Sequence, residues 1–501
     1  MKVEVANIVN NRLNTGEQIS IKRLFIFITL CILVLVPVSI FMLTNTIKYQ
    51  SAVYFLILLT LAIAGFFILN KRLVLFEPIV LFSTYYTTVL IAGIYSIYTD
   101  YNSNDFVNNT CFKNDIHILT TYACMYFFFG YICMLIGYYL VKRNNLQIKF
   151  DLETKEEISD RVLNLFILCF LVIGISNFLY NVWILAGGNL FTYLANVSVR
   201  QLEFADSGTA SGYLLAYNAM FIWLFKLFRN RNHSKLFIIM LLITIIMKAS
   251  TGRIFGTMLY IASFVGIYYL LEISNKKKIN NAKYYFAAIG LVSFGIIFYF
   301  MRIISSIVYN NSLKNNIGLV FMQLFNQFGY YAVDKGNMPN IGVVLKIIDS
   351  WGTDIGYLYG QSLVTWICNI LPSSMRFQGY QPSVMIKQTW YLHIIGGNLP
   401  PTGIGEMYAN FGIFGPFLGM FLFGCLAAYL YNYTIKSRNY WCLAIYVQIT
   451  IGFIMLYPKG EFDNLTLLYV LPILIVIVTM KVMSKIKVYI NNINTSNSKF
   501  K

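Results

Sequence analysis

Ile118-Leu-Thr-Thr-Tyr-Ala-Cys-Met-Tyr-Phe-Phe-Phe-Gly-Tyr-Ile-Cys-Met-Leu-Ile-Gly-Tyr-Tyr-Leu-Val141 is a run of 24 residues without a charge, closed by Lys142 and Arg143. As a helix it reaches about 36 Å, enough to cross a hydrocarbon core of about 30 Å. Paired cations at its end mark the cytosolic side of such a crossing. Similar runs recur along the chain, at 24 to 43, 53 to 69, 78 to 98, 163 to 185, 212 to 228, 236 to 250, 254 to 271, 284 to 300, 413 to 431, 441 to 457 and 465 to 480. The sequence therefore predicts an all-α polytopic integral membrane protein of about 12 transmembrane helices. Of its 501 residues 58% are apolar and 12% charged, against about 25% charged in a soluble globular domain. Soluble enzymes, disulfide-stapled secreted domains and disordered tail proteins are excluded.

The net charge of +18 would suggest nucleic acid in a soluble protein. Here the cations alternate from side to side. Lys22/Arg23, Lys71/Arg72, Lys142/Arg143, Arg229/Arg231/Lys235, Lys276/Lys277/Lys278/Lys283, Lys436/Arg438 and Lys481/Lys485/Lys487 fall on one side of the predicted bundle. That side carries +17 of the +18, which the positive-inside rule makes the cytosol. The charge is a topology signal, and nucleic acid drops out as a partner. Residues 1 to 20 are polar and lack a signal-peptide core, so the first helix reads as a permanent anchor and both termini as cytosolic. Cys31, Cys124, Cys133, Cys169, Cys425 and Cys442 lie in apolar runs and read as small core hydrophobes. Cys111 and Cys368 face outward, and nothing in the sequence fixes whether they approach within bridging distance.

Four segments follow: a bundle over 1–300, a long extracytoplasmic loop over 301–412, the last membrane helices over 413–480 and a basic cytosolic tail over 481–501. Loops of that length are usually functional. Within the loop, Ile317 to Val333 and Ile355 to Leu371 are apolar enough for helices. The connection between them carries Lys335 and Lys346 against Asp334, Asp349 and Asp354 and lacks a cytosolic basic excess, so they are expected to lie at the outer interface rather than to cross. Trp351, Trp366, Trp390, Tyr330, Tyr331, Tyr357, Tyr359, Tyr380 and Tyr391 read as an interfacial aromatic belt, with sugar-stacking platforms as the sharper alternative.

No phosphate-binding loop, dinucleotide fingerprint, nucleophile elbow or His/Cys metal spacing is present, so neither a metal nor a cofactor is expected. The candidate polar groups are mostly outer-side arginines. In Lys248-Ala-Ser-Thr-Gly-Arg253 only twelve strictly apolar residues precede the lysine, about 18 Å of helix. The turn must then sit within the outer half of the membrane or in a wet recess. Lys248 reads equally as snorkelling or functional, and Arg253 as a site. Arg302, Arg200 and Arg376 lie on the same side, with Lys387 and His393 downstream; an arginine fork matches phosphate oxygens. In Leu399-Pro-Pro-Thr-Gly-Ile-Gly-Glu406-Met-Tyr-Ala-Asn-Phe-Gly412-Ile-Phe-Gly415, read as an irregular entry to the next helix, Glu406 is the lone acid between Asp354 and Glu461. It is either an arginine's partner or a proton acceptor.

This last pattern, the Ser-Thr-Gly-Arg turn and the single long outer loop resemble the bacterial oligosaccharide repeat-unit polymerases of O-antigen (lipopolysaccharide) and capsule synthesis, the Wzy type. The resemblance implies a GT-C-like, O-antigen ligase-like architecture and a bacterial plasma-membrane location. It also implies metal-independent glycosyl transfer at the extracytoplasmic face between undecaprenyl-pyrophosphate-linked donor and acceptor oligosaccharides, among membrane lipids and with a chain-length regulator protein. Arg253, Arg302, Arg376 and Arg200 would hold the pyrophosphate, with Glu406 the preferred base and His393 the reserve. The sequence departs from the ligase pattern by placing Glu406, not a His-Asn pair, ahead of the Phe-Gly-x-x-Gly turn. A lipid-linked oligosaccharide flippase or other secondary transporter is the alternative.

Overall fold

The computed structural model describes residues 47–69, 74–143 apart from 103, 160–188, 214–230, 235–250, 254–274, 290, 338–370, 380–390, 399–437, 440–471, 473, 474 and 478. The expected helices 24 to 43 and 317 to 333 lie outside them, as does 284 to 300 apart from residue 290, and the last residues of 465 to 480 in large part. Thirteen helices carry the argument: α1 Gln50–Leu69, α2 Pro78–Tyr98, α3 Ile116–Val141, α4 Asp160–Ala186, α5 Leu214–Asn230, α6 Lys235–Ser250, α7 Ile254–Ser274, α8 Ile341–Ser350, α9 Gln361–Ile370, α10 Pro382–Trp390, α11 Thr402–Phe411, α12 Gly415–Ser437 and α13 Tyr440–Ile449. No strand occurs among the described residues. Six helical stretches are long and apolar enough to cross a membrane: those of α1, α2, α3, α4 and α7, and the broken rod of α11 with α12.

These helices are apolar on every side, as membrane helices are. Leu168, Trp183, Leu140, Leu418 and Tyr429 point outward and are exposed, while Tyr86, Phe127, Tyr131 and Tyr138 fill the interior. Lipid tails offer no hydrophobic drive between helices, so close backbone approach must supply the association. The pairing of α3 with α12 shows how. A Cβ built on Gly424 of α12 would lie 2.3 Å from the Met134 carbonyl oxygen of α3, and one on Gly137 would lie 2.1 Å from that of Phe421. The two helices run in the same direction. Asn432 on α12 closes the end of α3, donating to the Val141 carbonyl at 2.8 Å and accepting from the Arg143 N–H at 3.2 Å.

At that end Lys142 forms a buried ion pair with Glu77 at 2.5 Å, and the Tyr138 hydroxyl donates to Glu77 at 2.9 Å. The Lys142 ammonium lies 5.7 to 5.8 Å from the rings of Tyr138, Tyr139 and Tyr431. One buried charge pair thus fastens α2, α3 and α12 together.

Two expectations change. Pro400 to Phe411 is not an irregular entry: Thr402–Phe411 is a ten-residue helix, and the break comes at Gly412, whose φ of +64° starts the turn into α12. Helix holds there because Thr402 closes its first turn, accepting the Gly405 N–H at 3.2 Å, and because both glycines inside it are packed against Tyr457 and Ile347. The apolar stretch 355 to 371 is helical only over Gln361–Ile370. Left-handed backbone at Tyr359 and Gly360, φ 47° and +87°, keeps the preceding residues out of it. Ten residues make about 15 Å of helix, too short to cross. Cys111 is exposed, Cys368 is buried, and both are free thiols.

Candidate functional site

The end of the bundle opposite Lys142, where α3 and α12 begin, is roofed by α8 to α11. Polar side chains that are scattered in the sequence meet there. Glu406 of α11 is 0% exposed. One carboxylate oxygen accepts the Ser362 hydroxyl of α9 at 2.8 Å and the other accepts the Phe462 backbone N–H at 2.8 Å. One turn on, Asn410 donates to the Ser362 oxygen at 2.7 Å and to the Glu406 carbonyl at 2.8 Å, and accepts the Gly360 N–H at 2.9 Å. The N–H groups of Leu358 and Tyr359 donate to the carbonyls of Ala409 and Asn410. Residues 358–362 are therefore laced along the last turn of α11.

Two more buried carboxylates continue the pattern. Glu461 accepts the Ser383 hydroxyl at 2.6 Å and its N–H at 3.2 Å, both at the start of α10. Asp463 accepts the Gln381 side-chain amide. A single turn, 461–463, thus fastens α9 through Glu406 and α10 through its own two acids. The Gly403 N–H donates to the Tyr457 carbonyl at 3.0 Å, which ties α11 to the chain just before that turn. Lys459 lies half-buried beside it, and burial pushes its ammonium down to about 8.

A second knot holds α8 to the segment before α3. Asp349, 2% exposed, accepts the Lys113 N–H at 3.0 Å, the Asn114 N–H at 3.1 Å, the Asn114 amide at 2.9 Å and the Lys346 ammonium at 3.0 Å. Burial pushes its carboxyl up, but these donors together hold it below the usual carboxylate range. The Lys346 ammonium also donates to the Cys111 carbonyl and lies 5.1 Å from the Trp390 ring. Trp351 packs against Trp390 with ring centroids 5.9 Å apart and is buried in the core, so it is no stacking platform. Tyr359, 77% exposed, with Phe411 and Phe414 forms the open aromatic surface of this end.

Of the residues singled out from the sequence, Glu406 is described; Arg200, Arg253, Arg302, Arg376 and His393 lie outside the described residues. Ser362, Asn410, Ser383, Gln381, Glu461 and Asp463 were missed. A serine or asparagine carries no chemical signature of its own, and only the Glu461-x-Asp463 pair offered a signal. The Lys248 ammonium lies 4.3 Å from the Tyr217 ring and 5.6 Å from the Tyr260 ring.

An all-helical bundle with lipid-facing apolar sides and a polar, multiply tied cap at one end defines a polytopic membrane protein. The sequence model of the O-antigen polysaccharide polymerase Wzy family matches residues 24–487, nearly the whole chain, and the chain belongs to that family. Its class of activity is O-antigen repeat-unit polymerisation, a glycosyltransferase-like reaction within the membrane. No curated protein and no solved structure matches the chain.

Proposed function

We propose that this protein joins undecaprenyl-pyrophosphate-linked repeat units at the extracytoplasmic face of the bacterial plasma membrane, for O-antigen or capsular polysaccharide. Both termini are on the cytosolic side in this reading, and a chain-length regulator is the protein partner. The acceptor hydroxyl attacks the donor's anomeric carbon. The new C–O bond forms as the bond to the pyrophosphate oxygen breaks, the lipid pyrophosphate leaves with that electron pair, and the hydroxyl proton passes to a base. No metal takes part. Arg253, Arg302 and Arg376, with Arg200 fourth, stabilise charge growing on the leaving phosphate, where pre-placed cations act most strongly.

The observation that carries the assignment of roles is the surroundings of Glu406. A carboxylate with no exposed surface and a hydrogen bond on each oxygen supports a positioning role. Glu406 holds α9 and the 461–463 turn in the arrangement that shapes the roof, and His393 takes the proton.

The test uses purified protein with lipid-linked donor and acceptor. His393→Ala should lower turnover by about 10² to 10⁴-fold, the usual loss for a missing general base, with donor binding kept. Near-normal turnover in His393→Ala alongside a dead, correctly folded Glu406→Gln would return the base to Glu406. In cells, inactivating the protein should leave single lipid-linked repeats on the outer face. Repeats trapped on the cytosolic face would instead support the flippase reading.

A further inference from the structure

The polymerisation reading leaves unused a groove between α4, α5 and α6. Phe225 of α5 packs on Tyr440 at the start of α13, with ring centroids 4.5 Å apart. That contact lies just past the end of α12, whose Asn432 closes α3 beside Lys142. The groove therefore opens at the Lys142 end of the bundle, away from the roof. Its free volume is about 920 Å³, toward the top of the range of about 300 to 1,000 Å³ usual for ligand clefts. Leu168 and Leu236 in its lining are 61% and 57% exposed, so it is open along its outer side, where the lipid lies.

The lining changes character with depth. Asn164, Lys226, Asn230 and Lys235 form the mouth; each lies within four residues of a helix end, about 6 Å along the axis. Ile167, Leu171, Trp223 and Met240 line the part below, and no carboxylate is among the described lining residues. From Asn164 to Leu171 the groove descends about 10 Å. Lys226 is fixed over it: its ammonium crosses from α5 to donate to the Asn164 side-chain oxygen of α4 at 2.5 Å. That acceptor is neutral. Asp160, the acid that opens α4, accepts the Asn230 amide at 2.8 Å, and neither Lys226 nor Lys235 is ion-paired among the described residues. Cations above and hydrocarbon walls below match one class of molecule, and basic pockets between membrane helices take anionic headgroups in this way. A soluble anion would leave the apolar floor uncovered, and an apolar helix would leave the lysines unmet.

We propose that this groove binds an anionic phospholipid, its phosphate at Lys226 and Lys235 and an acyl chain against Trp223, Ile167 and Leu171. In the topology proposed above the leaflet is the cytosolic one; the binding does not rest on that reading.

Trp223 makes the groove report on itself. The full chain is reconstituted into phosphatidylcholine vesicles that carry a small fraction of brominated lipid, either phosphatidylglycerol or phosphatidylcholine, whose acyl bromines quench tryptophan on contact. Subtracting the signal of Trp223→Phe isolates the groove from the other five tryptophans. Wild type should associate with phosphatidylglycerol about thirtyfold more strongly than with phosphatidylcholine, about fivefold from each lysine. Lys226→Met and Lys235→Met should each lower that preference about fivefold, and the double variant should erase it. Lys436, exposed in the last turn of α12 at the same end of the bundle, is the control, and Lys436→Met should leave the preference unchanged. If the double variant does not fold, the single variants carry the test. Equal association of the two lipids with wild type overturns the proposal, as does an unchanged preference in the folded lysine variants. An equal loss in Lys436→Met would reduce the effect to general surface charge and overturn it too. So would a Trp223 that neither lipid quenches, because the groove would then be filled by protein.

Discussion

If Glu406 is a tie, removing it should loosen α9 before it alters any chemistry. Glu406→Ala leaves the Phe462 N–H and the Ser362 hydroxyl without their acceptor, at about 1 to 3 kcal/mol for each buried unmet donor. The opening of α9 should therefore become easier by about 2 to 6 kcal/mol. Glu406→Gln is milder. Its carbonyl oxygen can take the Phe462 N–H, and its amide can donate to Ser362, whose oxygen has a second lone pair beside the Asn410 bond. A cost of about 1 kcal/mol follows. Cys368 on α9 is a built-in reporter, a free thiol with 3% exposure. In protein whose exposed Cys111 and Cys169 are replaced by serine, the rate of Cys368 labelling by a water-soluble maleimide follows the open population when reclosing is fast. Glu406→Ala should raise it at least about thirtyfold, and Glu406→Gln by no more than about fivefold, with turnover falling in proportion. Unchanged labelling in Glu406→Ala would refute the tie. Wild-type labelling in Glu406→Gln with turnover down a hundredfold or more would show that the charge itself does chemistry.

Reporter fusions after Arg143, Arg231, Lys278 and Arg438 should report the cytosol, and fusions near Asp105, Ser207 and Ser350 the outside; a cytosolic signal at Ser350 would reverse the placement of the whole roof. Arg253→Lys and Arg376→Lys keep the charge and lose the fork, so polymer should fall sharply at normal protein level in the membrane, and full-length polymer from both would reduce them to lipid contacts. Lys459, lowered to about 8 from an unfolded value near 10.5, binds fewer protons folded than unfolded between those values. Stability should therefore rise with pH across that window, and thermal unfolding in Lys459→Met should lose that increment relative to wild type. Gly424→Ala places a methyl 2.3 Å from the Met134 carbonyl and should part α3 from α12, read as loss of folded protein from membranes; undiminished yield would show that the helices can shift.

What the sequence discloses and what it hides divide by the range of the physics. The helices from Gln50 to Ser274 and α12 follow from apolar length and flanking cations, which are local properties: α3 was expected over 118 to 141 and spans Ile116–Val141. The shared direction of α3 and α12 is what the five intervening crossings expected from the charge alternation require. The roof is different, because its order comes from pairs far apart in the chain. Glu406 meets Ser362 and Phe462, Glu461 meets Ser383, and Asp349 meets Lys113 and Asn114. Nothing at position 362 distinguishes a buried serine from a solvated one, so the lone acid was visible and its partners were not. The same limit hid the shape of 402–411, where proline and glycine argued for irregular backbone. Helix prevails there because long-range contacts at Tyr457 and Ile347 fill the space those glycines leave, and tertiary packing overrides local propensity. Lys248 shows the converse. Its short apolar lead-in put the turn in the outer half of the membrane or in a wet recess, and a cation about 20 Å up a helix has to be met by something. Which something depended on Tyr217 and Tyr260, aromatic residues that a hydropathy reading counts simply as membrane.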